Sequence, residues 1–212
     1  MANDKARSDD FKSDMCRLSY AKSLFEASSQ DGGKKKFNPT LIFPKAAKLA
    51  MEKIVAEVIK QQWGPAGLER AKKGLIKSPF LAGDGKEAHN KKSGELHPGM
   101  GPDVFFIRPT ANEDRPPYVW WHDPKTPETV NNVYSGCYGK AVLNAYAWVN
   151  SAGGEGVSFG ISKFQKLMEG ERLGSDGSGS ADADKWHETV ADEGPAPEAT
   201  KKGAGAGGLF GD

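Results

Sequence analysis

The sequence predicts a mainly β domain with one or two helices, closed into a small barrel and followed by a disordered acidic C-terminal tail. Three observations lead there. Residues 133–149 alternate, small or aliphatic at odd positions and mostly aromatic or polar at even ones, which is the period of a strand. Residues 45–62 repeat apolar side chains every three or four positions, the period of an amphipathic helix. After Gly174 the composition turns abruptly to Gly, Ala, Ser, Pro and acids with no packing period. With 37% hydrophobic residues over 212 positions, part of the chain is expected to lie outside any core. Residues 1–13 are therefore read as a flexible N-terminus, 14–174 as one folded domain and 175–212 as the tail.

The first strand is Met15 to Tyr20, followed by a polar stretch with Asp31-Gly32-Gly33 as its turn. Lys36 to Phe43 reads as a second strand, at an edge or bulged, because Pro39 has no N–H for a ladder. Pro44 closes it and opens the helix, Lys45 to Gln62. There Ala47, Met51, Ile54, Val55, Val58 and Gln62 share a face suited to packing on a sheet, and Gly64-Pro65 stops the run. Residues 66–101 are basic and turn-rich and are expected as a long loop. Val104 to Arg108 is a strand, and Arg115-Pro116-Pro117 turns into another extended piece, Tyr118 to Trp121. Val133 to Val149 is the longest strand, with Gly136 and Gly139 placed to bend it as a small barrel demands. A Gly-rich hairpin loop, Asn150 to Gly156, leads to the strand Val157 to Ile161. Ser162 to Leu173 carries Phe164, Leu167 and Met168 at helical spacing and is expected as a closing helix or turn.

The net charge of +1 conceals a division along the chain. Residues 175–212 hold eight acids and three lysines, net −5, which leaves +6 on everything before them. A basic body with an acidic tail points toward a polyanionic partner, with the tail as competitor or handle. No apolar run approaches the roughly 18 residues of a membrane span, and Met1 to Asp14 is polar rather than signal-like. No membrane role is expected, and the chain is placed in the cytoplasm. In that reducing compartment Cys16 and Cys137 are expected as free, buried thiols. No catalytic or cofactor motif is legible. Gly83-Asp84-Gly85-Lys86 lacks the phosphate-loop spacing, and the four histidines show no metal-ligand spacing with the cysteines. The reading is of a binding protein, not an enzyme, with neither cofactor nor metal.

The even positions of the long strand, Tyr134, Tyr138, Lys140, Asn144, Tyr146 and Trp148, interleave rings with a cation and an amide. Rings stack bases and cations hold phosphates, the combination a single-strand binder needs. Two alternatives stay open: this face is the barrel core, or it faces outward and the small, aliphatic odd face is the core. The odd face makes the better core. Lys34-Lys35-Lys36-Phe37 and Trp120-Trp121 are further candidates for the same groove, against the plainer readings of a solvated lysine loop and a core tryptophan pair.

At Val133-Tyr134-Ser135-Gly136-Cys137-Tyr138-Gly139-Lys140-Ala141 the sequence resembles a phage family of single-stranded-DNA-binding proteins, similar in design to that of bacteriophage T7. Arg17-Leu18-Ser19-Tyr20-Ala21, Leu41-Ile42-Phe43-Pro44-Lys45 and Gly160-Ile161-Ser162-Lys163-Phe164 fall in the order that family would give, and the match runs from Arg17 to Gly174. The resemblance implies an OB-fold-like five-stranded barrel, no catalysis, and coating of exposed single strands in phage DNA replication, recombination and repair inside the infected bacterial cell. It also implies a possible homodimer and a tail whose Leu209-Phe210 recruits phage replication proteins, whether polymerase, helicase or recombinase; here Gly211 and Asp212 follow that pair. Two other readings remain beside it: a protein-interaction module with incidental DNA contact, and a metal-dependent nuclease assembled from scattered acids.

Overall fold

The computed structural model describes residues 5–29 and 32–174. These fall in one compact unit, Met1–Asp176. The expected tail, with Leu209 and Phe210, lies outside the described residues.

The N-terminal segment departs from expectation. Residues 5–13, read as loose, run antiparallel along the long strand: Ser8 N donates to Ala145 O at 2.8 Å and Ala147 N to Ala6 O at 2.9 Å, with β1 (Phe11–Lys12) in register opposite Leu143 and Val142. Backbone pairing asks for no apolar period, so composition alone could not reveal it. Gln62 Oε1 accepts from Ala6 N at 2.8 Å and ties this segment to the helix.

β2 (Cys16–Ser19) follows. Pro39 splits the next expected strand in two: β3 (Lys36–Phe37) and β4 (Thr40–Pro44). Thr40, Leu41, Ile42 and Phe43 are all buried, because β4 sits between β2 and the strand at Val104–Ile107 with both faces covered. After a short 3-10 turn, α1 (Lys48–Trp63) packs on the sheet through Met51, Val55, Val58 and Ile59. Gly64, at φ 69, ends it as expected.

The 66–101 stretch is less of a loop than its composition implied. It forms α2 (Ala66–Lys72), led by Pro65, and the two-residue β5 (Leu81–Ala82). β6 (Val104–Ile107), β7 (Ala111–Asn112), β8 (Tyr118–Trp120), β9 (Tyr138–Val149) and β10 (Glu155–Met168) complete the chain. β9 begins later than expected, since residues 133–137 form a turn held by Gly136 at φ 116. β10 is longer than expected: the segment read as a closing helix is its second half. Ile161 pairs Leu143 and Lys163 pairs Val142, so Ser162 is an extra residue, a bulge that moves the inward set from odd positions to Phe164 and Lys166.

The sheet order is β5-β6-β4-β2-β9-β10-β8, with β1 beside β9; β3 and β7 form a separate ribbon. The structure is mostly β with two helices, but the expected barrel is not closed by a ladder. The outer edge of β10 is met instead by Lys77 at Gly156, Thr110 at Gly160 and β8 at Lys163 to Gln165. Pro109, Pro116 and Pro117 punctuate the crossing from β6 to β8 and remove the donors a continuous ladder would need. The core lies between the sheet and α1, where Ala141, Leu143, Ala145 and Ala147 of β9 are fully buried. Phe43 and Phe105 stack at 5.4 Å, with Phe80 edge-on to Phe105 and Phe159 at 5.7 Å each. Cys16 and Cys137 are free and buried, and burial pushes both thiols up in pKa, away from reactivity.

Candidate nucleic-acid interface

The alternation of β9 resolves which of its faces is the core. Odd residues from Gly139 to Ala147 are buried and even ones from Tyr138 to Trp148 are half-exposed, so Tyr138, Lys140, Asn144, Tyr146 and Trp148 line up along the outward face. Successive side chains on that face stand roughly 7 Å apart. Cations accompany the rings: Arg17 lies 5.6 Å from the Tyr138 ring, Arg7 5.6 Å from Tyr146 and Lys77 5.9 Å from Trp148.

Beside Tyr146 the surface sinks into a cleft of about 500 Å³ where Arg7, Lys36 and Arg115 converge. Tyr146 is held by a 3.2 Å hydrogen bond between its hydroxyl and Thr110 Oγ1. Asn144 Nδ2 donates to Asp10 Oδ1 at 3.1 Å, which occupies the acid of the cleft, while Asn144 Oδ1 is buried without a partner. Gly160 opposite makes room for that carboxamide, since a Cβ there would stand 2.8 Å from Oδ1. Three cations around a ring and an amide can take phosphates and a base together.

Of the residues singled out in the sequence, Lys36, Asn144 and Tyr146 are brought into this cleft, with Tyr138, Lys140 and Trp148 flanking it on the same strand. Others lie elsewhere. Phe37 is 6% exposed and belongs to the core, not to a groove. Lys34 is exposed outside the cleft, and Lys35 reaches Glu113 at 3.9 Å. Trp120, on β8, packs beside Tyr118 at 5.9 Å.

Trp121 and Tyr134 meet around Lys166, whose Nζ stands 3.7 Å and 5.0 Å from their rings. Lys166 donates to Asn132 O at 2.7 Å and Glu169 Oε1 at 2.6 Å; the single hydroxyl proton of Tyr134 is shared between Glu169 and Gly170 O, the latter at 2.9 Å. Desolvation, then the Glu169 hydrogen bond, raise the Tyr134 phenol. Hydrogen bonds from Lys166 and Tyr134 hold the Glu169 carboxyl below its ordinary range. Both rings are thus engaged in a structural staple.

Arg7, Thr110, Asn112 and Arg115, which also line the cleft, carry no local signal in the sequence. Arg7 sits in the segment read as loose and Arg115 in what read only as a turn. Among the described residues no helix is long and apolar enough to cross a membrane, and no group of three His, Cys, Asp or Glu lies together as metal ligands would.

No curated protein matches the chain. Among solved structures, the single-stranded DNA-binding protein from bacteriophage Enc34 in complex with ssDNA is similar in fold, with a TM-score of 0.57 at 18% identity, covering 82% of this chain and 100% of that one. A single-stranded DNA binding protein encoded by bacteriophage T7 gives 0.51 at 12% identity, covering 88% and 97%. The family model described as Enterobacter phage Enc34, ssDNA-binding protein, matches residues 10–194, most of the chain, including β9 and every residue of its cleft but Arg7. On that match, and on the fold that accompanies it, the chain belongs to the Enc34 single-stranded-DNA-binding protein family.

Proposed function

We propose that the chain binds single-stranded DNA with little sequence preference along the outward face of β9, centred on the Tyr146 cleft. The observation that carries this is the convergence of Arg7, Lys36 and Arg115 around the Tyr146 ring. Cations that hold phosphates ignore base identity, and so does stacking on a ring, which accounts for the sequence tolerance. The Enc34 relative bound to ssDNA supports the same reading. Titration with poly-dT tests it. Tryptophan fluorescence is expected to quench and affinity to fall as salt rises, because bound phosphates release counterions. Absence of quenching at low salt, or equal affinity for duplex, would sink the reading. Tyr146→Ala should weaken poly-dT binding by about 1 to 3 kcal/mol if the ring stacks.

In this reading the DNA-binding unit is residues 14–174, joined by the paired N-terminal segment, and it serves phage replication, recombination and repair by protecting exposed strands. The acidic tail, through Leu209 and Phe210, recruits the replication proteins. Pull-down of such a partner by full-length protein, lost on removing 175–212, is the expected result; retention without the tail would place recruitment elsewhere.

A further inference from the structure

A second recess, of about 660 Å³, is lined by residues next to β3 and β7 in the chain. The two concavities are lined from opposite ends of the same short segments. Lys36 and Thr110 face the first, Asn38 and Arg108 the second, two residues along in each case. Two extended residues span only about 7 Å, so the two spaces lie close together along these segments.

Their chemistry is also the same. The second recess holds Lys86, Lys91 and Arg108, and Glu87 is its one acid among the described residues. Arg108 is steadied over the Phe106 ring at 5.3 Å and by donating to Glu87 O at 3.2 Å. Asn38 Oδ1, like Asn144 Oδ1 next door, is buried without a hydrogen-bond partner.

The aromatic member is Tyr20, and its backbone is unusual. At φ 54 and ψ 49 it is the one non-glycine residue with positive φ among the described residues. A side chain with a Cβ is strained there, and glycine or asparagine would make the same turn more easily. The turn sends Ala21 and Leu24 inward and leaves Tyr20 49% exposed, its ring edge-on to His97 at 6.2 Å. A strained residue displaying a ring to solvent beside three cations is a reason to look for a ligand.

We propose that this recess is a second nucleotide subsite, and that one bound strand runs along these segments from the Tyr146 cleft to stack on Tyr20, its phosphates passing Arg108 and Lys86. The proposal rests on the reading of the chain as a single-strand binder and extends the path of the strand.

The test compares dT oligonucleotides of about 5 and about 30 nucleotides, shorter and longer than a path over both clefts. Tyr20→Asn removes the ring but keeps a residue that tolerates the turn; it is combined with Arg108→Gln. Full-length protein carrying both changes is expected to lose about tenfold or more in affinity for the long strand and much less for the short one. Lys86→Gln, an exposed change that leaves folding alone, should lower the slope of log affinity against log salt by about 0.7 on the long strand. An unchanged slope for Lys86→Gln, unchanged long-strand affinity for the double variant, or an equal loss at both lengths would overturn the proposal. If the unaltered protein fails to bind dT, the functional reading itself falls. If Tyr146→Ala weakens long-strand binding while the Tyr20, Arg108 and Lys86 variants do not, only the second subsite falls.

Discussion

Lys166 is 1% exposed, the one charged side chain so deeply buried among the described residues. An ammonium survives there because the bulge at Ser162 turns it inward toward waiting partners: the Asn132 carbonyl, the Glu169 carboxylate and the rings of Trp121 and Tyr134. It fastens the loop between β8 and β9 to β10. Lys166→Met keeps the stem and strands one carbonyl, so it should cost about 1 to 2 kcal/mol in urea denaturation. Lys166→Ala adds a cavity and should cost about 3 kcal/mol. Glu169 is largely exposed and is not left as a buried charge by either change. Neither change should alter poly-dT affinity, since Trp121 and Tyr134 are spoken for. A loss of affinity in Lys166→Met would put those rings back in the binding path. At this scale the sequence was half legible. It named Asn144, Tyr146 and Lys36 because strand parity and a lysine run are local signals. It could not show that Trp121 and Tyr134 enclose a lysine more than thirty positions away from either, or that Arg7 comes to lie over Tyr146.

At the scale of the element, β9 and β10 form the hairpin on which the site depends, and two glycines decide its geometry. A Cβ on Gly139 would overlap the Gln165 carbonyl and stand 2.6 Å from the Phe164 ring, and one on Gly136, already at φ 116, would overlap the Glu171 carbonyl. Gly139→Ala should therefore destabilise by about 1 to 3 kcal/mol through overpacking. Gly136→Ala should cost at least as much, since left-handed strain is added to the clash. Gly33, with nothing within 4 Å of its would-be Cβ, is the control, and Gly33→Ala should change stability by less than about 0.5 kcal/mol. Equal effects at Gly33 and Gly139 in thermal or urea melts would show that close packing at the hairpin base is not the cause. Both glycines stood out in the sequence as places to bend. The second half of β10 did not read as strand. Its inward residues are Val157, Phe159 and Ile161 before the bulge and Phe164 and Lys166 after it, so any window across Ser162 sums two opposite phases. Phe164, Leu167 and Met168 then imitate a helix, and only the register against β9 reveals the slip.

Across the whole molecule, the β core, the long helix and the alternation of β9 were legible from periodicity, while which face of β9 points outward took the structure to decide. Closure was not legible. The expected barrel stays open because single bridges at Gly156 and Gly160 stand where a ladder was anticipated, and such bridges leave no pattern in sequence. Charge acts over the same scale. The first 174 residues carry +6 and the remaining 38 carry −5, so removing 175–212 moves the net charge from +1 to +6. If the tail competes with DNA for the cations of the cleft, the truncated protein should bind poly-dT more tightly than the full chain at low salt. The difference should shrink as salt rises, since interactions beyond about 10 Å are largely screened at 0.1 M. The slope of log affinity against log salt should become steeper, because no tail carboxylates remain to take the place of phosphates on Arg7, Lys36 and Arg115. Equal affinity of the two proteins at low salt would show that the tail does not compete for the cleft, and would leave its charge to recruitment of other proteins or to solubility alone.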